Sequence, residues 1–128
     1  MKPLITTNIY EPKGAVLIAG TCLPDMQKNG FLKLQAQADC VYSLCLEESH
    51  INTAVTKLGA MLSTGQITKL MFATVDRSPH CTKVHYIDHE LRRMMEIAIP
   101  MEHSVLSDEQ IYPISAETIE RSKTLHTL

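Results

Sequence analysis

Cys81 follows His80 directly after Ser78-Pro79, a pair that reads as an N-cap and the first residue of a helix. A cysteine in the first turn of a helix feels the unpaired N–H groups and the dipole there, which favour thiolate over thiol. The adjoining His80 is able to donate a hydrogen bond, shuttle a proton or bind a metal ion. Two other reversals of the chain carry similar residues. Cys22 lies in Gly20-Thr21-Cys22-Leu23-Pro24, and Cys45 lies just before Glu47, Glu48 and His50. Asp76 closes the run that precedes Ser78.

Three chemistries suit these residues. Cys22, Cys45 and Cys81 with His50 and His80 make a donor set for a soft metal, either zinc or an iron–sulfur cluster. No C-x-x-C is present, so such ligands would have to converge from separate loops. The second chemistry needs no metal: Cys81 as a thiolate nucleophile, His80 or His50 as acid and base, and backbone N–H groups as an oxyanion site. Neither G-x-S-x-G nor C-x-x-C marks such a nucleophile. The third is a non-catalytic domain that takes a small anion on its helix N-termini, or an accessory or regulatory domain with a protein partner. Gly14 and Gly20 flank the first apolar run, but no G-x-G-x-x-G follows it, which argues against dinucleotide binding. Beside these stands a plain structural reading. In it His80 is a packed histidine, Cys81 a small filler at a helix entry, and Glu47 and Glu48 are solvated.

Short apolar runs separate these turns. Residues 15–19 (AVLIA), 39–46 (DCVYSLCL) and 70–75 (LMFATV) read as strands covered on both faces. Cys40 and Cys45 have opposite parity along the second run, so Cys40 is assigned to the core and Cys45 to the exposed end. Between the runs lie helical stretches. Residues 24–38 are helix formers with a break near Asn29-Gly30. A second stretch starts after Ser49 as cap and carries Ile51, Val55, Leu58, Met61 and Leu62 on one face up to Gly65.

The third helix is expected from Pro79 to about Glu96, with Val84, Ile87, Leu91, Met94, Met95 and Ala98 on its apolar side. On a wheel of ~100° per residue, His80 falls near that side, His85 ~130° from it and His89 ~170° from it, on the solvent face. Residues 4–10 (LITTNIY) are β-prone and suit a sheet edge. Two short pieces around Asp108-Glu109 suit a hairpin or edge strands, with Pro113 at the edge. A last helix is expected from Ala116 to about Leu125.

Strand–helix repeats of this kind predict one domain over residues 1–128. Its fold class is a small three-layer α/β sandwich, a mostly parallel sheet with helices on both faces and a C-terminal hairpin or edge strands. In that architecture the carboxyl ends of the strands share one rim, where the three cysteine-bearing turns would meet.

Composition limits the partners. A net charge of -2 with no basic stripe argues against nucleic acid. No apolar segment approaches the ~20 residues that span a bilayer, and the start lacks a secretory signal, so a cytoplasmic protein is expected. Its four cysteines are then thiols or ligands, not disulfides. A small ligand or a protein partner, and assembly into a homo-oligomer through an edge strand or a helix face, complete the expectation.

Overall fold

A computed structural model of the chain describes residues 1–46, 50–75 and 83–115. The first strand, β1 (Lys2–Pro3), is followed by β2 (Gly14–Gly20), α1 (Leu23–Met26), α2 (Lys28–Gln35), β3 (Cys40–Leu44), α3 (Ile51–Ser63) and β4 (Ile67–Val75). A 3-10 turn (Lys83–Tyr86) leads into α4 (Ile87–Met94), and the chain continues through β5 (Met101–Ser107) and β6 (Gln110–Ile114). The six strands form one sheet in the order β1-β3-β2-β4-β5-β6, parallel throughout except for β6. The expected fold class is therefore the observed one.

The apolar runs are strands because both faces of the sheet are covered. Val16, Leu17, Ile18 and Ala19 of β2 are all fully buried. Alternate residues supply two cores. Val16, Ile18, Leu70 and Phe72 meet α3 and α4 through Leu58, Met61, Ile87 and Leu91. Leu17, Ala19, Met71 and Ala73 meet α1 and α2 through Leu23, Phe31 and Leu34. Each buried Val, Leu, Ile, Met or Phe among them contributes roughly 1.5–3 kcal/mol relative to an exposed one.

Four details depart from expectation. Only Lys2 and Pro3 pair at the edge, and the β-prone stretch after them folds into turns. There the Thr7 hydroxyl donates to the Pro3 carbonyl at 2.7 Å, and the Asn8 side chain accepts from the Tyr10 N–H at 2.8 Å. Short polar side chains that bond nearby backbone compete with a sheet ladder, and here they win.

The helical break falls at Gln27 (φ -137°, ψ 58°), so Gly30 lies inside α2. It is tolerated there because the methyl groups of Leu106 pack so closely that any Cβ would meet Leu106 at 2.8 Å.

His50, not Ser49, is the N-cap of α3, its Nδ1 accepting the Asn52 N–H at 3.1 Å. Ser49, Glu47 and Glu48 lie outside the described residues.

Finally, no continuous helix runs to Glu96. Met95 is extended (φ -154°, ψ 160°), Met94 is 67% exposed, and residues 83–86 are 3-10. A 3-10 turn advances ~120° per residue where an α-helix advances ~100°, so angles counted from Pro79 go out of phase. His85, assigned to a polar flank by the wheel, is 1% exposed.

The hairpin between β5 and β6 is as expected. Asp108 (φ 52°) and Glu109 (φ 62°) are both left-handed, the geometry of a two-residue turn that follows the twist of its strands.

Candidate functional site

From β2 onward the strand order reverses once between strands joined by crossovers. From β2 the chain steps by way of α1 and α2 to β3 on one side, then by way of α3 back across to β4 on the other. The crevice between the carboxyl ends of β2 and β4 is therefore a topological switch point, the usual place for a ligand in such a sheet.

Gly20-Thr21-Cys22 leaves β2 at this point. Gly20 pairs with Leu44 across to β3, and the Thr21 N–H donates to the Leu44 carbonyl at 3.3 Å. Cys45 directly follows Leu44, so the Cys22 and Cys45 turns spring from neighbouring strand ends. Thr21 and Cys22 are exposed, and Cys45 is half-buried. Cys40 sits at the other end of β3, partly buried against the α3–α4 core, its thiol 3.6 Å from the Lys13 carbonyl. Exposed His50 accepts the Asn52 N–H at Nδ1, so its Nε2 carries the proton of the neutral ring, and binding a metal through either nitrogen would break that cap. Asp76, Ser78, His80 and Cys81, expected at the end of β4, lie outside the described residues. Among the described residues no group of three or more His, Cys, Asp or Glu side chains is arranged to hold a metal ion.

The N-termini of α1 and α2 are poor anion sites. Directly after β2, α1 has only four residues. The first amides of α2 are already taken, because Glu109 of the hairpin accepts from Asn29 N–H at 2.6 Å and from Gly30 N–H at 3.1 Å. A carboxylate in that position repels a phosphate while satisfying the donors a phosphate would use.

Beneath the rim lies a second cluster that sequence reasoning missed. Thr74, the penultimate residue of β4, has its Oγ1 2.7 Å from His85 Nε2. His85 Nδ1 is 2.9 Å from His103 Nδ1, and His103 Nε2 is 2.5 Å from Asp88 Oδ2. Arg92 closes the row, its Nε–H donating to Asp88 Oδ1 at 2.5 Å. Thr74, His85 and Asp88 are each 1% exposed and His103 is 4% exposed, whereas the Arg92 side chain reaches solvent. The Phe72 ring stacks on His103 with centroids 5.1 Å apart and planes 10° from parallel. A cavity of about 550 Å³ opens beside Asp88, Arg92 and His103.

The donors and acceptors in this row fix one another. Burial raises the Asp88 carboxyl, but hydrogen bonds from His103 and Arg92 outweigh burial and hold it below the ordinary carboxylate value. An ionised Asp88 only accepts, so His103 Nε2 carries a proton. With His103 neutral, its Nδ1 accepts, His85 Nδ1–H donates, and His85 Nε2 accepts the Thr74 hydroxyl. Burial first, and then the proximity of His103, push His85 down to about 3 against the opposing pull of Asp88. His85 is thus neutral near pH 7.

One sequence signal could have led to this row. His85 and Asp88 are three apart, a spacing that shares a face on either kind of helix. The third member, His103, sits on β5 and has no local mark.

A parallel sheet wound in both directions, with helices on each face and a crevice at the reversal, defines a doubly wound α/β domain. The model of the Rossmann-like domain family matches residues 12–127, and the chain belongs to that family. No curated protein and no solved structure matches it. The dinucleotides that this fold often carries do not fit here. The turn after β2 lacks the glycine-rich sequence, and Glu109 occupies the amides of α2. No helix among the described residues is long and apolar enough to cross a membrane.

Proposed function

We propose that the domain performs redox- or metal-linked binding of a small ligand at the switch-point crevice. Cys22, Cys45 and Cys81 act as thiol donors and His50 and His80 as imidazole donors, with zinc or an iron–sulfur cluster as the group held. Thr21, Asp76 and Ser78 shape the turns around them. One observation carries the reading: β2, which flanks the reversal of strand order, ends beside β3, and each runs directly into a cysteine-bearing turn. Thiolates favour soft metals, and ligands drawn from several loops suit a site at the rim of such a sheet.

Anaerobic purification followed by elemental analysis tests it. Close to one zinc per chain, or iron with acid-labile sulfide, is expected, and Cys22→Ser or Cys45→Ser should lower the occupancy. Metal-free protein in which Cys81 alkylates much faster than Cys40 would replace metal binding with thiol chemistry at the same rim. Metal-free protein whose four cysteines all label slowly and equally would overturn the reading.

A further inference from the structure

The row beneath the rim has two self-consistent proton arrangements, and they differ at Thr74. In the first, Thr74 O–H donates to His85 Nε2, His85 Nδ1–H donates to His103 Nδ1, and His103 Nε2–H donates to Asp88. Add one proton, and a second arrangement satisfies every ring nitrogen. His103 carries both of its protons as a cation against Asp88, His85 Nδ1 accepts from it, and His85 Nε2–H donates to the Thr74 oxygen.

We propose that Thr74, His85 and His103 form a proton wire from the carboxyl end of β4 to a store at the His103–Asp88 pair. Uptake moves each proton by one hydrogen bond. A hydronium ion at the carboxyl end of β4 gives its proton to the Thr74 oxygen as the hydroxyl proton passes to His85 Nε2, and departs as water. The His85 Nδ1 proton crosses the 2.9 Å gap to His103 Nδ1. One proton enters, the charge comes to rest between Phe72 and Asp88, and release runs the same steps backwards. His85 remains neutral at both ends of the cycle and only exchanges tautomers.

Three features support a wire over a merely packed cluster. The contacts are contiguous and short. Every member except Arg92 is at most 4% exposed, so the hydrogen bonds of the row are made largely within the protein. The store also has a permanent counter-charge, since Arg92 holds Asp88 in place from the solvent side.

The surroundings contribute little competing charge. From α3 this core receives Ala54, Val55, Leu58 and Met61, all apolar. Lys69 and Glu102, on β4 and β5, pair with each other at 3.1 Å and alternate with Phe72 and His103, so they face the other side of the sheet. Arg93 pairs with Glu90 on α4, Lys83 is exposed, and half-buried Tyr86 and His89 are the remaining titratable groups on that stretch.

The readout needs no ligand, so it stands or falls separately from the metal reading. Imidazole 15N–1H correlation spectra of the full chain, recorded as pH is lowered from about 8, identify the protonated nitrogen on each histidine. His85 should start as the Nδ1–H tautomer and change to Nε2–H in step with double protonation of His103, without itself becoming a cation. In Asp88→Asn the pH at which His85 changes tautomer should fall by about 1–3 units, the usual effect of one close opposite charge. If that variant does not fold, the wild-type spectra decide alone. His85 keeping one tautomer throughout, or becoming a cation in step with His103, would overturn the wire. A folded Asp88→Asn with an unchanged midpoint would do the same.

Discussion

His85 has given up water for two nitrogen contacts, and its protonation is thereby tied to folding. Its folded value near 3 lies below the ~6.5 of a free imidazole, so between those limits the unfolded chain holds a proton that the folded chain lacks. Stability therefore falls as pH drops through this window, by at most about 1.4 kcal/mol per unit from this group. Asp88 acts in the same sense at lower pH. Its lowered value means stability present above ~3.9 and lost as acid titrates the folded carboxylate. Urea midpoints at about pH 7.5, 6 and 5 should decline in that order, and a flat series would contradict the burial of a neutral His85. Asp88→Ala is the harsher test. It leaves His103 and Arg92 without their shared acceptor, and a loss of about 3–5 kcal/mol in urea unfolding at neutral pH is expected. The sequence shows His85 and Asp88 plainly enough as residues. Their burial was not legible, because a 3-10 turn and an α-helix look alike in residue type while their faces diverge with every step.

Elements are held to one another by a few polar contacts that join distant parts of the chain. Glu109 is the clearest: its carboxylate caps α2, and its own N–H donates to the Gln27 side chain at 2.7 Å. One residue of the hairpin thus fixes the helix that follows the first buried strand. Glu109→Ala should cost about 1–2 kcal/mol in urea unfolding, as the loss of a helix cap usually does. Glu109→Gly should cost less, since a backbone at φ 62° suits glycine, and that ordering separates cap loss from backbone strain. The existence of α2 was legible from helix-forming residues despite the alternation of Leu32, Leu34 and Ala36. Phe31 and Leu34 are buried while Leu32 is 51% exposed, the pattern of a helix with one inward face. The cap was not legible, because nothing local ties Glu109 to a helix start some 80 residues earlier.

Across the whole molecule, the sheet order makes one rim chemically different from the other. The carboxyl ends of β2 and β3 lead into Cys22 and Cys45. At the amino ends the Asp39 carboxylate accepts the Ala15 N–H at 2.9 Å beside Gly14, a purely structural contact. If the rim takes up zinc, amide exchange at residues 21–23 and 45–46 should slow by about tenfold or more, with no change at residues 14–15 and 65–67. Equal protection at both ends would point to general stabilisation and not to a site.

The division between what could be read and what had to be seen follows from the range of the interactions involved. Apolar runs and helical periodicity are local, and burial acts on each segment by itself. For that reason three core strands, the α3 face ending at Gly65, the hairpin turn and the α/β class all follow from the amino-acid sequence. Strand order depends on which pairings the crossovers permit, so the side-by-side ending of the strands leading into Cys22 and Cys45 was an inference from architecture until the sheet gave them a register. The histidine row lies further from reach. His103 meets His85 across 18 residues and two elements, through hydrogen bonds that leave no periodic trace, and only the folded chain brings the two rings together.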